Sequence, residues 1–168
     1  MRKSVVVYLL LTALYGCGYR LAGKNLGAGE GRTIAVPTFT NQTTTYRIEQ
    51  RLTEAVRQEL IRRTRFKVVP DNNGDLVVAG QVLSYGAVPV IFNQQGRGSV
   101  YAMLVGLSVR LTDTKTGKVV FQNENWAFRE IFELSQTSAE FVPEDPAALD
   151  RLSRRFASSL VASLMHSK

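Results

Sequence analysis

The run Ser99-Val100-Tyr101-Ala102-Met103-Leu104-Val105-Gly106-Leu107-Ser108-Val109-Arg110-Leu111-Thr112 alternates with a period of two. Tyr101, Met103, Val105, Leu107, Val109 and Leu111 fall on one side, and Ser108, Arg110 and Thr112 on the other. In a strand, successive side chains point to opposite faces, so this is a strand with one buried face. Asp113-Thr114-Lys115-Thr116-Gly117 follows as a tight turn, with glycine where a positive φ is needed. Lys118 to Phe132 then returns as the partner strand. Its alternation slips between Phe121 and Trp126, which predicts a bulge.

Upstream, Asp75 to Tyr85 reads as another strand, interrupted by Gly80. Pro89 and Asn93-Gln94-Gln95-Gly96-Arg97-Gly98 mark the tip of the hairpin that joins it to the central strand. Phe66 to Val69 is a short strand stopped by the turn Pro70-Asp71-Asn72-Asn73-Gly74. Thr33 to Phe39 is the first strand, with Pro37 at an edge or near its end, because proline lacks a ladder donor. Thr40 to Thr45 reads as a polar loop.

Two segments carry helical periodicity instead. Across Tyr46 to Thr64, Ile48, Leu52, Ala55, Val56 and Leu60 form one apolar stripe. Glu59 and Arg63 are expected to pair on the outer surface of that basic helix. After a loop from Leu134 to Glu144, Asp145 and Pro146 supply an N-cap and a first helical position. Leu149, Leu152, Phe156, Leu160 and Leu164 give the second stripe. The order is β-α-β-β-β-β-α. Two one-stripe helices can cover one face of a mostly antiparallel sheet, so the expected fold is α+β, a two-layer α/β sandwich. The other face is then left to solvent or a partner. Leu107 and Phe156 are expected in the core.

The N-terminal segment sets the compartment. Met1-Arg2-Lys3 is basic, and Val5 to Gly16 is an uncharged apolar run. As a helix that run rises about 18 Å, too short for a hydrocarbon core of about 30 Å. A basic start, a short apolar run and a small residue at its end describe a secretory signal. Leu14, Gly16 and Cys17 match a bacterial lipobox, and Cys17 is the single cysteine of the chain. The expected organisation is a signal over residues 1–16, a lipidated glycine-rich tether over 17–32, and one domain over 33–168. Loss of Arg2 and Lys3 with the signal leaves 19 basic and 14 acidic residues, a net charge of +5. A secreted lipoprotein does not meet nucleic acid, so its basic excess calls for an acidic protein surface, lipid headgroups or phosphorylated glycolipid.

Catalytic and metal chemistry find little material. His166 is the only histidine and lies at the C-terminal turn of the last helix. Glu124 and Glu130 are too far apart along a strand for paired acid–base work. No His, Cys, Asp or Glu cluster has metal-ligand spacing, and no cofactor is implied. Trp126-Ala127-Phe128-Arg129 reads as sheet-core aromatics with a flanking charge rather than as a base-stacking platform. Binding is the better candidate. Arg97 sits between two glycines at a hairpin tip, and Arg110 and Arg129 point away from the apolar side of their strands. A guanidinium suits phosphate because its planar fork makes two parallel hydrogen bonds.

Several segments carry a resemblance. They are Cys17-Gly18-Tyr19-Arg20-Leu21, Ile34-Ala35-Val36-Pro37-Thr38-Phe39-Thr40-Asn41-Gln42-Thr43, Ile48-Glu49-Gln50-Arg51-Leu52-Thr53-Glu54-Ala55-Val56 and Leu76-Val77-Val78-Ala79-Gly80-Gln81-Val82. In this order the chain resembles the lipopolysaccharide-assembly lipoprotein family LptE. The resemblance implies a sandwich anchored in the outer membrane by acylated Cys17, seated in the barrel of the partner LptD, and binding lipopolysaccharide through basic residues. One such residue is expected at the tip between the long strands, where Arg97 stands by location. A second is expected before the last helix, where this chain has Glu140 and Glu144 and no Lys or Arg. Gly18 after the cysteine agrees with outer-membrane sorting. Penicillin-binding-protein activators and curli-secretion lipoproteins open with a comparable Ile-Ala-Val…Phe-x-Asn-x-Thr run. That likeness implies instead a regulator of cell-wall synthesis or a secretion-pore subunit.

Overall fold

The computed structural model describes residues 31–133 and 145–166. Its elements are β1 (Thr33–Ala35), β2 (Thr40–Asn41), α1 (Ile48–Arg63), β3 (Lys67–Val69), β4 (Leu76–Phe92), β5 (Gly98–Asp113), β6 (Val119–Glu133) and α2 (Pro146–His166). The sheet order is β3-β1-β4-β5-β6, with β2 alongside β4. β1 is parallel to β3 and β4, while the long strands β4, β5 and β6 are antiparallel. The expected α+β sandwich is what forms. The element order holds, with the two-residue β2 added where the sequence reads as loop.

The alternation in β5 works as read. Met103, Val105, Leu107, Val109 and Leu111 are buried against the helices. From α1 come Ile48, Leu52, Val56 and Leu60, and from α2 Leu149, Leu152, Phe156, Leu160 and Leu164. Phe156 is the centre of an aromatic cluster, with ring centroids 6.2 Å from Phe39, 6.0 Å from Trp126 and 5.4 Å from Phe128. The bulge lies where it was expected: Leu107 faces Trp126 and Val109 faces Asn123, so β6 carries one extra residue.

Helix entry differs at the two helices. Asp145 caps α2, its Oδ1 accepting the Ala147 N–H at 2.9 Å. α1 has no side-chain N-cap, and Arg47 before it has φ +57°. Asn41 organises this entry instead. Its Oδ1 accepts from the Thr43 N–H and hydroxyl at 2.8 Å, and its Nδ2 donates to Thr45 O and Glu49 Oε2 at 2.9 Å.

Three expectations need correction. β1 stops at Ala35 rather than Phe39 and lies between β3 and β4, so Pro37 falls beyond its end and not on an edge strand. β4 extends to Phe92, not Tyr85, so Pro89 lies within a strand. β1 and β2 flank β4 only as far as Val82, so at Pro89 the strand has β5 on one side alone. A proline there removes no bond from a second ladder. Glu59 pairs with Arg63 at 3.3 Å and also with Arg62, but it is buried rather than on the outer surface. Arg63 also reaches Ser158 of α2, which places the pair at the seam between the helices.

Candidate functional site

The helices cover one face of the sheet, and the candidate site is the other. Residues opposite each other in an antiparallel ladder share a face. Register therefore groups Val88, Ala102 and Ile131 in one row of the uncovered face, and Gly86, Leu104 and Arg129 in the next. Ser84, Gly106 and Ala127 form a row of small residues. Gln81 with Ser108, then Ala79, Arg110 and Gln122, make the far rows polar. The face thus has an apolar half towards the β4–β5 tip and a polar half away from it. Val88, Leu104 and Ile131 are 45%, 43% and 51% exposed, and Ile91, opposite Val100, is 55% exposed. Ala102, between Val88 and Ile131, is itself buried, so the exposed apolar side chains flank it, and such a grouping makes this half of the face the candidate interaction surface.

The three arginines occupy this frame at different places. Arg97 lies in the tip turn, exposed, with its N–H donating to Asn93 Oδ1 at 2.9 Å. Asn93 N–H donates back to Arg97 O at 2.8 Å, and Gly96 has φ +71°. The turn is therefore built by Asn93 and Gly96, leaving the Arg97 side chain free of a structural task. Arg129 is exposed beside Leu104, at the border of the apolar patch. Arg110 is exposed six residues along β5 from Leu104, which at about 3.4 Å per residue is roughly 20 Å away. The structure brings Arg129 to the patch and Arg97 to its outer end, and sets Arg110 apart in the polar half. Among the described residues, none of the three guanidiniums has an ion-pair partner.

The covered face holds an ionic cluster that sequence reasoning missed. Glu130, paired with Met103 in the ladder, is buried and bound by two arginines of α2. Arg151 Nε donates to its Oε1 at 2.8 Å and Arg155 Nη1 to its Oε2 at 2.7 Å. Burial pushes this carboxyl up, but the two guanidinium hydrogen bonds outweigh it, and the net shift is downward. Only the spacing of Arg151 and Arg155 on one side of a helix could have hinted at a shared acidic partner. Glu124 bonds Gln122 on the exposed bulge, so the two carboxylates do not meet. Trp126 and Phe128 face the helices while Arg129 faces away, so no stack of aromatics and cations forms.

Elsewhere the chemistry is structural. His166 Nδ1 lies 2.7 Å from Ala162 O in the last turn of α2. Between the outer sides of the helices runs an open groove of about 410 Å³, bridged by the Arg51–Asp150 pair at 2.7 Å. Its Ser153 donates to Leu149 O at 2.7 Å and is tied to its own helix. Among the described residues, no three His, Cys, Asp or Glu side chains converge as metal ligands, and no helix is long and apolar enough to cross a membrane. The expected signal over residues 1–16, Cys17, most of the expected tether and the segment 134–144 with Glu140 and Glu144 lie outside the described residues.

A family model described as LptE, lipopolysaccharide-assembly, matches residues 31–164. No curated protein matches the chain. Among solved structures, the PelC dodecamer of Paraburkholderia phytofirmans is similar at 17% identity, with 87% of this chain and 94% of that one covered and a TM-score of 0.51. A hypothetical protein of Chlamydia trachomatis follows at 11% identity, 80% and 96% coverage and TM-score 0.53. The uncharacterized lipoprotein B of Nitrosomonas europaea gives 11% identity, 79% and 81% coverage and TM-score 0.53. At these identities the three likenesses show a shared fold.

Proposed function

We propose that this chain, which belongs to the lipopolysaccharide-assembly family LptE, is a non-enzymatic outer-membrane lipoprotein that seats in an LptD-like barrel and binds lipopolysaccharide on its uncovered sheet face. Residues 1–16 are its signal, Cys17 its acylated N-terminus, 17–32 its tether and 33–168 its single domain. One observation carries the binding reading. The exposed apolar rows around Val88, Leu104 and Ile131 lie beside Arg129 and lead to Arg97, two guanidiniums without ion-pair partners among the described residues. A glycolipid with acyl chains and phosphates matches that pairing of apolar area with bidentate donors. Arg110, in the polar half roughly 20 Å from Leu104, is a candidate for a separate phosphate contact. The β4–β5 hairpin supports the barrel reading. β5 spans about 54 Å against about 31 Å for α2, so the hairpin projects past the helices.

Lipopolysaccharide binding by purified protein tests this. A desolvated charge-assisted contact is worth about 1.5–3 kcal/mol, so Arg97→Ala or Arg129→Ala should weaken binding by about 10- to 150-fold. Arg97→Lys should restore part of that, since charge returns without the fork. Copurification of a large β-barrel protein should persist in all three variants. Equal glycolipid binding by wild type and the Arg97→Ala/Arg129→Ala double variant, at low and high salt, would refute the assignment.

A further inference from the structure

The end of the molecule opposite the Arg97 tip carries an excess of basic side chains. β1 begins there, β4 begins beside it, β5 ends there and β6 departs from it. α1 also ends there, with Lys67 N–H donating to Arg32 O at 3.1 Å. Topology thus gathers Arg32, Arg62, Arg63, Arg65, Lys67, Lys115 and Lys118 on one end. The carboxylates among them are Glu59, Asp71, Asp75 and Asp113.

Number matters less than placement. In each ion pair at this end, the carboxylate is inside and the cation outside. Arg62 is 72% exposed over Glu59 at 5%, and Lys115 is 74% exposed over Asp75 at 20%. Arg32 over Asp113 and Arg63 over Glu59 follow the same arrangement. Buried Glu59 and half-buried Asp75 and Asp113 fix the cations in position, and the surface they present is positive. Lys67 and Lys118 add exposed charges with no ion-pair partner among the described residues. The C-termini of both helices point this way, and their dipoles account for cations at Arg62 and Arg63. They do not account for Arg32, Lys67, Lys115 and Lys118, which lie on strands and turns.

The chain enters the described fold at Gly31, on this same end. Cys17 is fourteen residues earlier, within at most about 50 Å of extended chain. We infer that this basic end is a membrane-facing surface that binds the headgroups of anionic phospholipid beside the lipid anchor. The inference rests on the lipoprotein reading for its orientation, while the surface itself does not depend on acylation. Acyl chains and a polybasic surface are complementary signals, one fixing the protein to the bilayer and the other its orientation.

Full-length chain carrying Cys17→Ala, floated with vesicles, separates the two. Vesicles of phosphatidylcholine alone report apolar binding by the N-terminal run. Vesicles with a third phosphatidylglycerol report charge. Each Lys or Arg near an anionic surface is worth about a fivefold change in partition. The Arg62→Gln/Lys67→Gln/Lys118→Gln variant should therefore lose about 10- to 100-fold of the preference for anionic vesicles. Glu59 keeps Arg63 in that variant, and its circular dichroism should match wild type. Arg47→Gln/Arg154→Gln, which removes two exposed charges away from this end, should keep the preference. An undiminished preference in the triple variant, or its loss in the Arg47→Gln/Arg154→Gln variant, overturns the inference. Neither result bears on acylation, which the N-terminal mass of the wild-type protein reports by itself.

Discussion

Glu130 shows how one residue links the sheet to the helix layer. Its carboxylate is buried on the covered face and receives Arg151 and Arg155 from α2. Replacing it with glutamine keeps the shape but leaves two guanidiniums against a neutral amide. Both arginines are partly exposed, so solvent limits the loss to about 1–3 kcal/mol at neutral pH. The arginine hydrogen bonds hold the Glu130 pKa below its ordinary value despite burial. Asp75, bonded by Lys115 and Thr33, and Asp113, bonded by Arg32, are held down in the same direction. A carboxyl depressed on folding stabilises fully above its unfolded pKa, and that contribution is lost as pH falls through the folded value. Urea titrations should thus show the Glu130→Gln deficit at pH 7 and a smaller one below about pH 4. A deficit that is equal at both pH values would mean the pair contributes nothing ionic. Gly80 is a second single-residue constraint. A Cβ there would stand 2.6 Å from the Phe39 ring, so Gly80→Ala forces the ring aside and should cost about 1–3 kcal/mol by thermal melt.

At the scale of elements, legibility followed burial on one face. β5 was readable because one side packs on helices and the other does not, and α1 and α2 because each buries a single stripe. β2 was not readable, since Thr40 and Asn41 join β4 through backbone pairing with Gln81 and Val82, which leaves no side-chain pattern. The outer half of β4 was missed for a related reason: past Tyr85 apolar residues are exposed, so no alternation separates core from solvent. The seam position of Glu59 depends on α2 and could not be read from α1. Of the candidate arginines, the tip location of Arg97 and the outward direction of Arg110 and Arg129 were legible from turn residues and parity. The distance of Arg110 from the tip follows from spacing along one strand, but the place of Arg129 beside Leu104 was not legible, because it depends on strand register. The packing of α2 on β6 gives a direct check. Phe156 is fully buried among Phe39, Trp126 and Phe128, so Phe156→Ala should destabilise by about 3–5 kcal/mol, and Leu107→Ala by about 2–5 kcal/mol. Thermal melts unchanged in both variants would show that the helix layer is not the source of stability. Asn41→Ala, which removes the brace at the α1 entry, should cost less, about 1–2 kcal/mol, by the same measurement.

At the scale of the molecule, the two faces of one sheet have opposite tasks. The covered face supplies stability, and the uncovered face, over which no helix lies among the described residues, is apolar only towards the tip. If the uncovered apolar rows existed to hold the fold together, charging them would unfold the protein. If they are a binding surface, charging them should leave the fold and remove the function. Ile131 distinguishes these outcomes because it is half exposed and lies on β6 between Phe132 and Glu130, both of which face the helices. Ile131→Asp keeps the backbone ladder and buries no charge, so its melting temperature should fall by no more than a few degrees, in line with about 0.5 kcal/mol for surface changes. Val105→Asp, one strand over on the covered face, should fail to fold, since an unpaired buried carboxylate costs several kcal/mol. Lipopolysaccharide capture by the folded Ile131→Asp protein should drop at least tenfold, because acyl chains would meet a charge beside Ala102 and Val88. Retained capture at a wild-type melting temperature would refute the proposed glycolipid binding on this face.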